Sequence, residues 1–149
     1  MNLDIYKVLS SIMEHLKKNL QDDLFMQDMD PIEEWLIGYR DVVSGLHAHP
    51  ALLVKSDRDY TSPDGLSYQR MEMDIALVFR CEEPDEGYKR LCSYQGVIDA
   101  RLRDDPHLGG YVAEIVKAAF SKARDSSGTL FFLFVDLEID IDVIAWRMD

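Results

Sequence analysis

Four carboxylates occupy alternate positions near the end of this chain, and no other group of its residues is as well placed to bind a cation or a basic partner. They are Asp136, Glu138, Asp140 and Asp142, and every odd-numbered position from Phe131 to Val143 is apolar. Because side chains alternate across a strand, the pattern predicts a strand with one apolar face and one acidic face. Like charges in a row tolerate little desolvation, so the acidic face must meet water, cations or a basic partner.

A metal site is one chemistry that such carboxylates could support. Neighbours on one side of a strand lie about 7 Å apart, which is too wide for a compact cation site unless other elements add ligands. We therefore interpret the row as a hydrated face and expect neither a metal nor a cofactor. Glu72 and Asp74 lie on the non-core side of an earlier predicted strand, so a shared sheet would join all six acids in one negative surface. Lys and Arg of a partner would neutralise that surface, or it would act as a repulsive wall.

Other reactive residue types give weaker signals. His47 and His49 flank one alanine, but zinc usually takes three or four ligands, so we interpret the pair as part of a polar loop. Cys81 and Cys92 lack CxxC spacing and a basic flank, and we expect two reduced thiols with packing roles. The chain has no nucleophile-elbow, phosphate-binding or zinc-protease motif, so we predict no catalytic residues.

Positive charge is concentrated on a helix predicted to begin at Pro84. The basic residues in question are Lys89, Arg90, Arg101 and Arg103. The simpler interpretation is a solvated helix face with Asp99 and Asp104 as partners. The alternative is a basic interface that docks onto the carboxylate row of an adjacent copy, which would give a head-to-tail, ring-forming contact.

Hydrophobic periodicity predicts one α+β domain over residues 1–149, with a mainly antiparallel twisted sheet flanked by two or three helices. An N-terminal amphipathic helix is predicted over Leu3–Leu20, followed by a loop over residues 21–29. Strands are predicted at Ala51–Tyr60 and Leu66–Arg80, paired as a hairpin. Capping residues from Asp30 predict a helix that stops near Gly45. Gly38 weakens this prediction, so a strand is the alternative at this position. The pattern over Tyr111–Ala123 favours a further helix.

The composition narrows the class of protein. The chain has 149 residues, a net charge of −12 and 47% hydrophobic residues, which suits one globular domain with a real core. Strong negative charge opposes casual binding to nucleic acid or to anionic membranes. No apolar run approaches the roughly 20 residues of a membrane span, and the N-terminal segment lacks signal-peptide features. We expect a soluble intracellular protein.

The order of these elements carries a resemblance to a known family. A short strand entry over His49–Val54 follows the first helix, and a long strand over Met71–Phe79 comes next. A helix containing Tyr88, Leu91, Ile98 and Leu102, a turn over Leu108–Gly110 and a long alternating strand complete the order. This order resembles the small tail terminator and tail-completion proteins of long-tailed bacteriophages.

The resemblance implies an α+β subunit without catalytic residues. Such subunits form a ring, commonly a hexamer, that caps the tail tube protein and offers a docking face to the head connector or head-completion protein. It also implies a virion tail or prophage protein assembled in the host cytoplasm, with a strand rather than a helix over residues 111–123.

The ring gives the acidic surface a physical purpose. Duplex DNA carries one negative charge per about 1.7 Å of axis, so an acidic conduit would let it slide without binding. We hypothesise that some of Glu72, Asp74, Asp136, Glu138, Asp140 and Asp142 face the lumen or a seam between copies. The first rival is an acidic inhibitor or immunity-type protein that blocks a basic partner. The second is a small metal-using enzyme, which would need a convergent site.

Overall fold

One five-stranded sheet organises the computed structural model, which describes residues 3–39, 48–61 and 68–147. The helices are α1 (Ile5–Met26), α2 (Pro84–Asp104) and α3 (Val143–Arg147), and a 3-10 turn spans Leu108–Gly110. The strands are β1 (Glu34–Ile37), β2 (Ala51–Thr61), β3 (Tyr68–Arg80), β4 (Glu114–Arg124) and β5 (Leu130–Asp142). Their order is β1-β2-β3-β5-β4; β1 is parallel to β2 and the other neighbouring pairs are antiparallel. The predicted α+β class, sheet and N-terminal helix are confirmed.

The larger of two hydrophobic clusters, the main core, lies on the face of the sheet where α1 and α2 pack, here called the inner face. The odd-numbered residues of β5 from Phe131 to Ile141 and those of β3 from Met71 to Phe79 all belong to it. Burying each large apolar side chain contributes about 1.5–3 kcal/mol, so the core fixes which side of each strand points inward. The even-numbered side chains therefore point to the opposite, outer face.

α1 is longer than its sequence pattern predicts. The prediction ends this helix at Leu20 and assigns residues 21–29 to a loop, whereas the helix continues to Met26. Leu24 is fully buried one turn after Leu20, and Asp23 bonds to Arg101 of α2. The predicted loop is therefore wrong over most of its length, because packing against α2 and the core extends the helix.

The second predicted helix, which runs towards residue 45, is wrong over its described part, where β1 forms instead. The Gln21 side chain fixes the entry to this strand, accepting from the backbone N of Ile32 at 3.0 Å and donating to its carbonyl at 2.8 Å. Gly38 follows the strand with φ +100°, a conformation that favours glycine. Pairing with β2 outweighs the local capping signal, and residues 40–45 lie outside the described residues.

The helix predicted over Tyr111–Ala123 is also wrong, because residues 114–124 form β4 at the edge of the sheet. A bulge between Ile115 and Lys117 shifts the register against β5 by one residue. The inner positions become Ile115, Ala118 and Phe120, and the spacing of three between the first two imitates a helical turn. The bulge therefore explains why the periodicity favours the wrong element.

α2 confirms the helix predicted at Pro84 and packs closely against β5. Two acids lie in its first turn and two arginines in its last, as the helix dipole favours. Gly87 faces the Phe131 ring so closely that a Cβ at this position would overlap it. Glycine thus allows the helix to approach the sheet.

Candidate functional site

The six predicted acids lie together on the outer face, and we call this set the acidic face. Its members are Glu72, Asp74, Asp136, Glu138, Asp140 and Asp142. β3 and β5 are direct neighbours, so Glu72 lies opposite Glu138 and Asp74 lies opposite Asp136. The intervening odd-numbered residues are buried in the core. The predicted division of β5 into a buried apolar side and an acidic side is therefore confirmed.

Cations of the same chain neutralise part of the acidic face. Arg70 donates to both carboxylate oxygens of Asp140, at 2.8 and 3.0 Å, and its guanidinium lies 3.8 Å from Glu138. Lys55 donates to Asp74 at 3.3 Å. The sequence predicts either neutralisation by a partner or a repulsive wall, and it does not identify Arg70 and Lys55 as neutralising residues. The signal that identifies them is the strand register, which the sequence does not supply.

Two like-charge pairs remain at the centre of the acidic face. Arg58 approaches Glu72 only at 4.0 Å and is mostly exposed, so it compensates Glu72 weakly, whereas Glu138 accepts from the Tyr60 hydroxyl at 2.9 Å and lies near Arg70. Burial raises the pKa of Asp136, and a hydrogen bond and negative charge from Asp74 raise it further. The Asp74–Asp136 pair thus holds a proton more readily than two separate carboxylates would.

A shallow cavity of about 340 Å³ lies over these pairs, and its lining includes Lys117 of β4. Across residues 3–39, 48–61 and 68–147, no group of three or more His, Cys, Asp or Glu residues has an arrangement that could hold a metal ion. The geometry supports attraction of external cations by the two pairs.

Asp142, at the end of the acidic face, acts mainly on the local fold. Its Oδ1 accepts hydrogen bonds from the backbone N–H of Ile144 at 3.0 Å and of Ala145 at 3.2 Å. These bonds cap the first turn of α3. Asp142 therefore differs from the central acids, which contact side chains of neighbouring strands.

The remainder of the outer face is apolar. Phe132 and Phe134 stack with ring centroids 5.8 Å apart, and both are partly exposed. Leu53 and Ala76 lie beside them in the same strand rows. The outer face therefore combines an acidic half with an apolar half in which Leu53 and its neighbours Ala51, Val78 and Leu130 are buried.

The four predicted basic residues of α2 do not form one continuous surface. Arg101 donates to both oxygens of Asp23 on α1, at 2.6 and 2.7 Å. Arg103 instead bonds to Asp99 at 3.1 Å, beside the groove between α2 and β4.

The two remaining basic residues lie nearer the start of α2. Arg90 stacks over the Phe79 ring at 4.2 Å and lies 3.7 Å from Asp30, while Lys89 is exposed. The partner predicted for a solvated face, Asp99, is thus found for Arg103. Docking of these residues onto another copy stays a prediction.

A histidine–carboxylate contact that the sequence argument missed joins α1 to the end of α2. His15 Nε2 lies 2.5 Å from Asp105 Oδ2, and Gly109 N–H donates to the other oxygen at 3.0 Å. Burial raises the pKa of Asp105, but these hydrogen bonds lower it by more, so its pKa lies below its usual value. Trp146 of α3 donates to the Tyr111 carbonyl and packs on its ring, which anchors the end of the chain to the same region. We interpret this cluster as a structural link.

The remaining predicted residue types are not brought together. His49 is partly buried, with Nδ1 lacking a hydrogen-bond partner among the described residues, and His47 lies outside them. Cys81 and Cys92 are both free thiols, the first partly buried and the second exposed.

Comparisons with known proteins add no family. No protein-family model matches the chain, and no curated protein matches it significantly. None of the helices in the described ranges is long and apolar enough to cross a membrane.

Proposed function

We propose that this chain is a structural assembly subunit that performs no chemistry and resembles the tail terminators of long-tailed phages. It forms a ring, a hexamer, that caps the tail tube and contacts the head-completion protein. The observation that carries the proposal is the position of the acidic face, at the centre of the sheet and opposite α1 and α2. A strand over residues 114–124, as the resemblance implies, also supports it.

The central like-charge pairs are the best candidates for the lumen or for a seam between copies. Asp140 is held by Arg70, and Asp142 caps α3, so these two acids serve the fold. Glu72 and Asp136 carry charge with little compensation inside the chain. At a lumen they repel the phosphate backbone, and DNA passes over water and counterions.

The test compares assembly of the wild type with that of the Glu72→Lys/Asp136→Lys variant by native mass spectrometry and analytical ultracentrifugation. We expect the wild type to form a closed hexamer, and we expect the variant to keep its circular dichroism spectrum but fail to close. Glu14→Lys/Asp22→Lys makes the same charge change at exposed positions of α1 and should assemble like the wild type. A wild type that stays monomeric at every concentration, with and without purified tail tubes, would contradict the proposal. Unfolding of the acidic-face variant would show instead that these acids are structural.

A second candidate function is an acidic inhibitor or immunity-type protein, and the two adjacent like-charge pairs favour it. Lys or Arg side chains of a basic partner would relieve the repulsion within each pair. Such a protein is a monomer or dimer whose association weakens as salt is added. The same mass measurement separates the two functions, because an inhibitor would not form a closed ring.

A further inference from the structure

The outer edge of β4 forms an open border of the sheet. β4 pairs with β5 along one edge, and no strand within the described ranges pairs with its other edge. Backbone N–H and C=O groups of an antiparallel strand point alternately to its two sides, so about half of those in β4 point away from β5. The pairing with β5 is unbroken from Ala118 to Arg124, so this stretch presents a regular row of donors and acceptors.

A groove of about 480 Å³ runs beside this edge, between β4 and the second half of α2. Leu102, Ile115 and Phe120 give it an apolar floor. Gln95 also lines the groove, and its side-chain oxygen is buried without a hydrogen-bond partner among the described residues. A buried acceptor without a donor is unfavourable, so a segment that brings a donor into the groove makes an interaction the isolated chain lacks.

Positive charge lies along this edge of an otherwise acidic chain. β4 carries Lys117, Lys122 and Arg124 against one acid, Glu114, whereas the chain as a whole has a net charge of −12. Lysines on an edge strand discourage casual pairing with other exposed edges. Lys117, which lies on the outer side, favours a strand that carries carboxylates on that side, since opposite charges attract across neighbouring strands.

The existing partner of β4 shows which kind of strand fits it. Residues 135–142 of β5 alternate strictly between apolar and acidic side chains. Ala118 lies opposite Leu137 on the inner side, and Lys117 lies opposite Glu138 on the outer side. The side chains of a strand flank both of its edges, so the same alternation fits the free edge. β5 itself is paired on both sides and is therefore not the occupant, and we assign the occupant to another protein.

We propose that the free edge of β4 and the adjoining groove form a strand-addition site. The occupant is an extended segment of a partner protein in which apolar residues alternate with Asp or Glu. Backbone hydrogen bonds to β4 provide affinity, apolar side chains enter the groove on the inner side, and carboxylates on the outer side approach Lys117. The site adjoins the acidic face at Lys117 and does not require a ring.

The probe is a fluorescein-labelled peptide with the sequence of residues 135–142, VDLEIDID, titrated with the full chain by fluorescence anisotropy. We expect saturable binding that weakens about fivefold or more in the Lys117→Glu variant, because attraction becomes repulsion. Lys17→Glu makes the same charge change at an exposed position of α1 and should bind like the wild type.

Two further peptides separate strand addition from charge attraction alone. Each carries N-methyl groups at every second residue, one on the even and one on the odd positions, so that each removes one set of backbone donors. Strand addition predicts that one of the two loses binding while the other keeps most of it. Equal binding by both peptides, no saturable binding by the parent peptide, or equal binding of the parent peptide to the wild type and to the Lys117→Glu variant would each overturn the proposal.

Discussion

Replacing Asp136 with Asn should stabilise the chain at neutral pH. Asp136 lies directly opposite Asp74 in the sheet, and Lys55 donates to Asp74. Two unit charges about 5 Å apart in a water-like dielectric repel each other by about 0.8 kcal/mol. Exposure of the pair, screening by salt and the nearby lysine reduce this repulsion. We therefore expect Asp136→Asn to raise the free energy of unfolding by about 0.5 kcal/mol.

The pH dependence of this gain has a definite sign. Burial, followed by the hydrogen bond and charge of Asp74, raises the pKa of Asp136 in the folded chain. A carboxyl group with a raised folded pKa contributes stability below its unfolded pKa and loses that contribution as the pH rises through its folded pKa. The advantage of Asp136→Asn should therefore be largest at neutral pH and should shrink as the pH falls.

Urea unfolding followed by tryptophan fluorescence measures the effect, since urea does not screen charges. With a slope of about 1–3 kcal/mol per molar urea, a gain of 0.5 kcal/mol raises the midpoint by about 0.2–0.5 M. Asp140→Asn is the matched control on the same strand, and it should lower the midpoint because it disrupts the paired hydrogen bonds from Arg70. A lower midpoint for Asp136→Asn, or a gain that persists in about 1 M salt, would refute the inferred repulsion.

Two further predictions concern α2. Gly87→Ala should lower the free energy of unfolding by about 1–3 kcal/mol, because its Cβ overlaps the Phe131 ring. Gly96→Ala, on the open side of the same helix, should raise the free energy of unfolding by about 0.5–1 kcal/mol. Thermal unfolding measures both variants, and equal changes in their melting temperatures would contradict the close packing at Gly87. The lowered pKa of Asp105 means that its carboxylate stabilises the folded chain above its unfolded pKa, and that this stabilisation is lost as the pH falls through its folded pKa. Asp105→Asn should therefore make the free energy of unfolding depend less steeply on pH in acid. Urea midpoints at neutral and acidic pH measure this change, and a curve as steep as that of the wild type would show that the His15 contact adds nothing.

The elements that the sequence predicts well are those in which every local signal agrees. β5 alternates strictly between apolar and acidic residues from Val135 to Asp142, and one register alone buries all of its odd-numbered side chains. α2 begins at a proline, follows a helical apolar pattern and ends at an acidic break. In both elements, local preference and tertiary packing favour the same conformation, so the sequence is sufficient.

The two helices that the sequence predicts wrongly form strands instead, because contacts from elsewhere in the chain determine their conformation. β1 has a capping signal for a helix, but the Gln21 side chain and the parallel contact with β2 hold it extended. β4 has an apolar spacing of three only because a bulge inserts one residue into a strand. Neither a distant side chain nor a bulge is visible in a local pattern.

The acidic face shows the same limit at the level of the site. Its members are predictable from alternation on two strands, but the charge it retains depends on what lies opposite each acid. The hairpin between β2 and β3 has a register shift between Lys55 and Arg58, which determines where these cations lie. Counting acids on β5 alone therefore overestimates the uncompensated charge.

The position of the remaining charge is the strongest physical argument for a functional surface. A net charge of −12 would keep the chain soluble equally well if its acids were scattered over the surface. Instead, Glu72–Glu138 and Asp74–Asp136 are neighbouring cross-strand pairs in which like charges oppose each other at a cost in stability. Local arrangements that work against stability concentrate at functional sites, because selection there acts on the surface presented to a partner or ligand. A stabilising effect of Asp136→Asn combined with loss of assembly in Glu72→Lys/Asp136→Lys would establish that trade-off for this sheet.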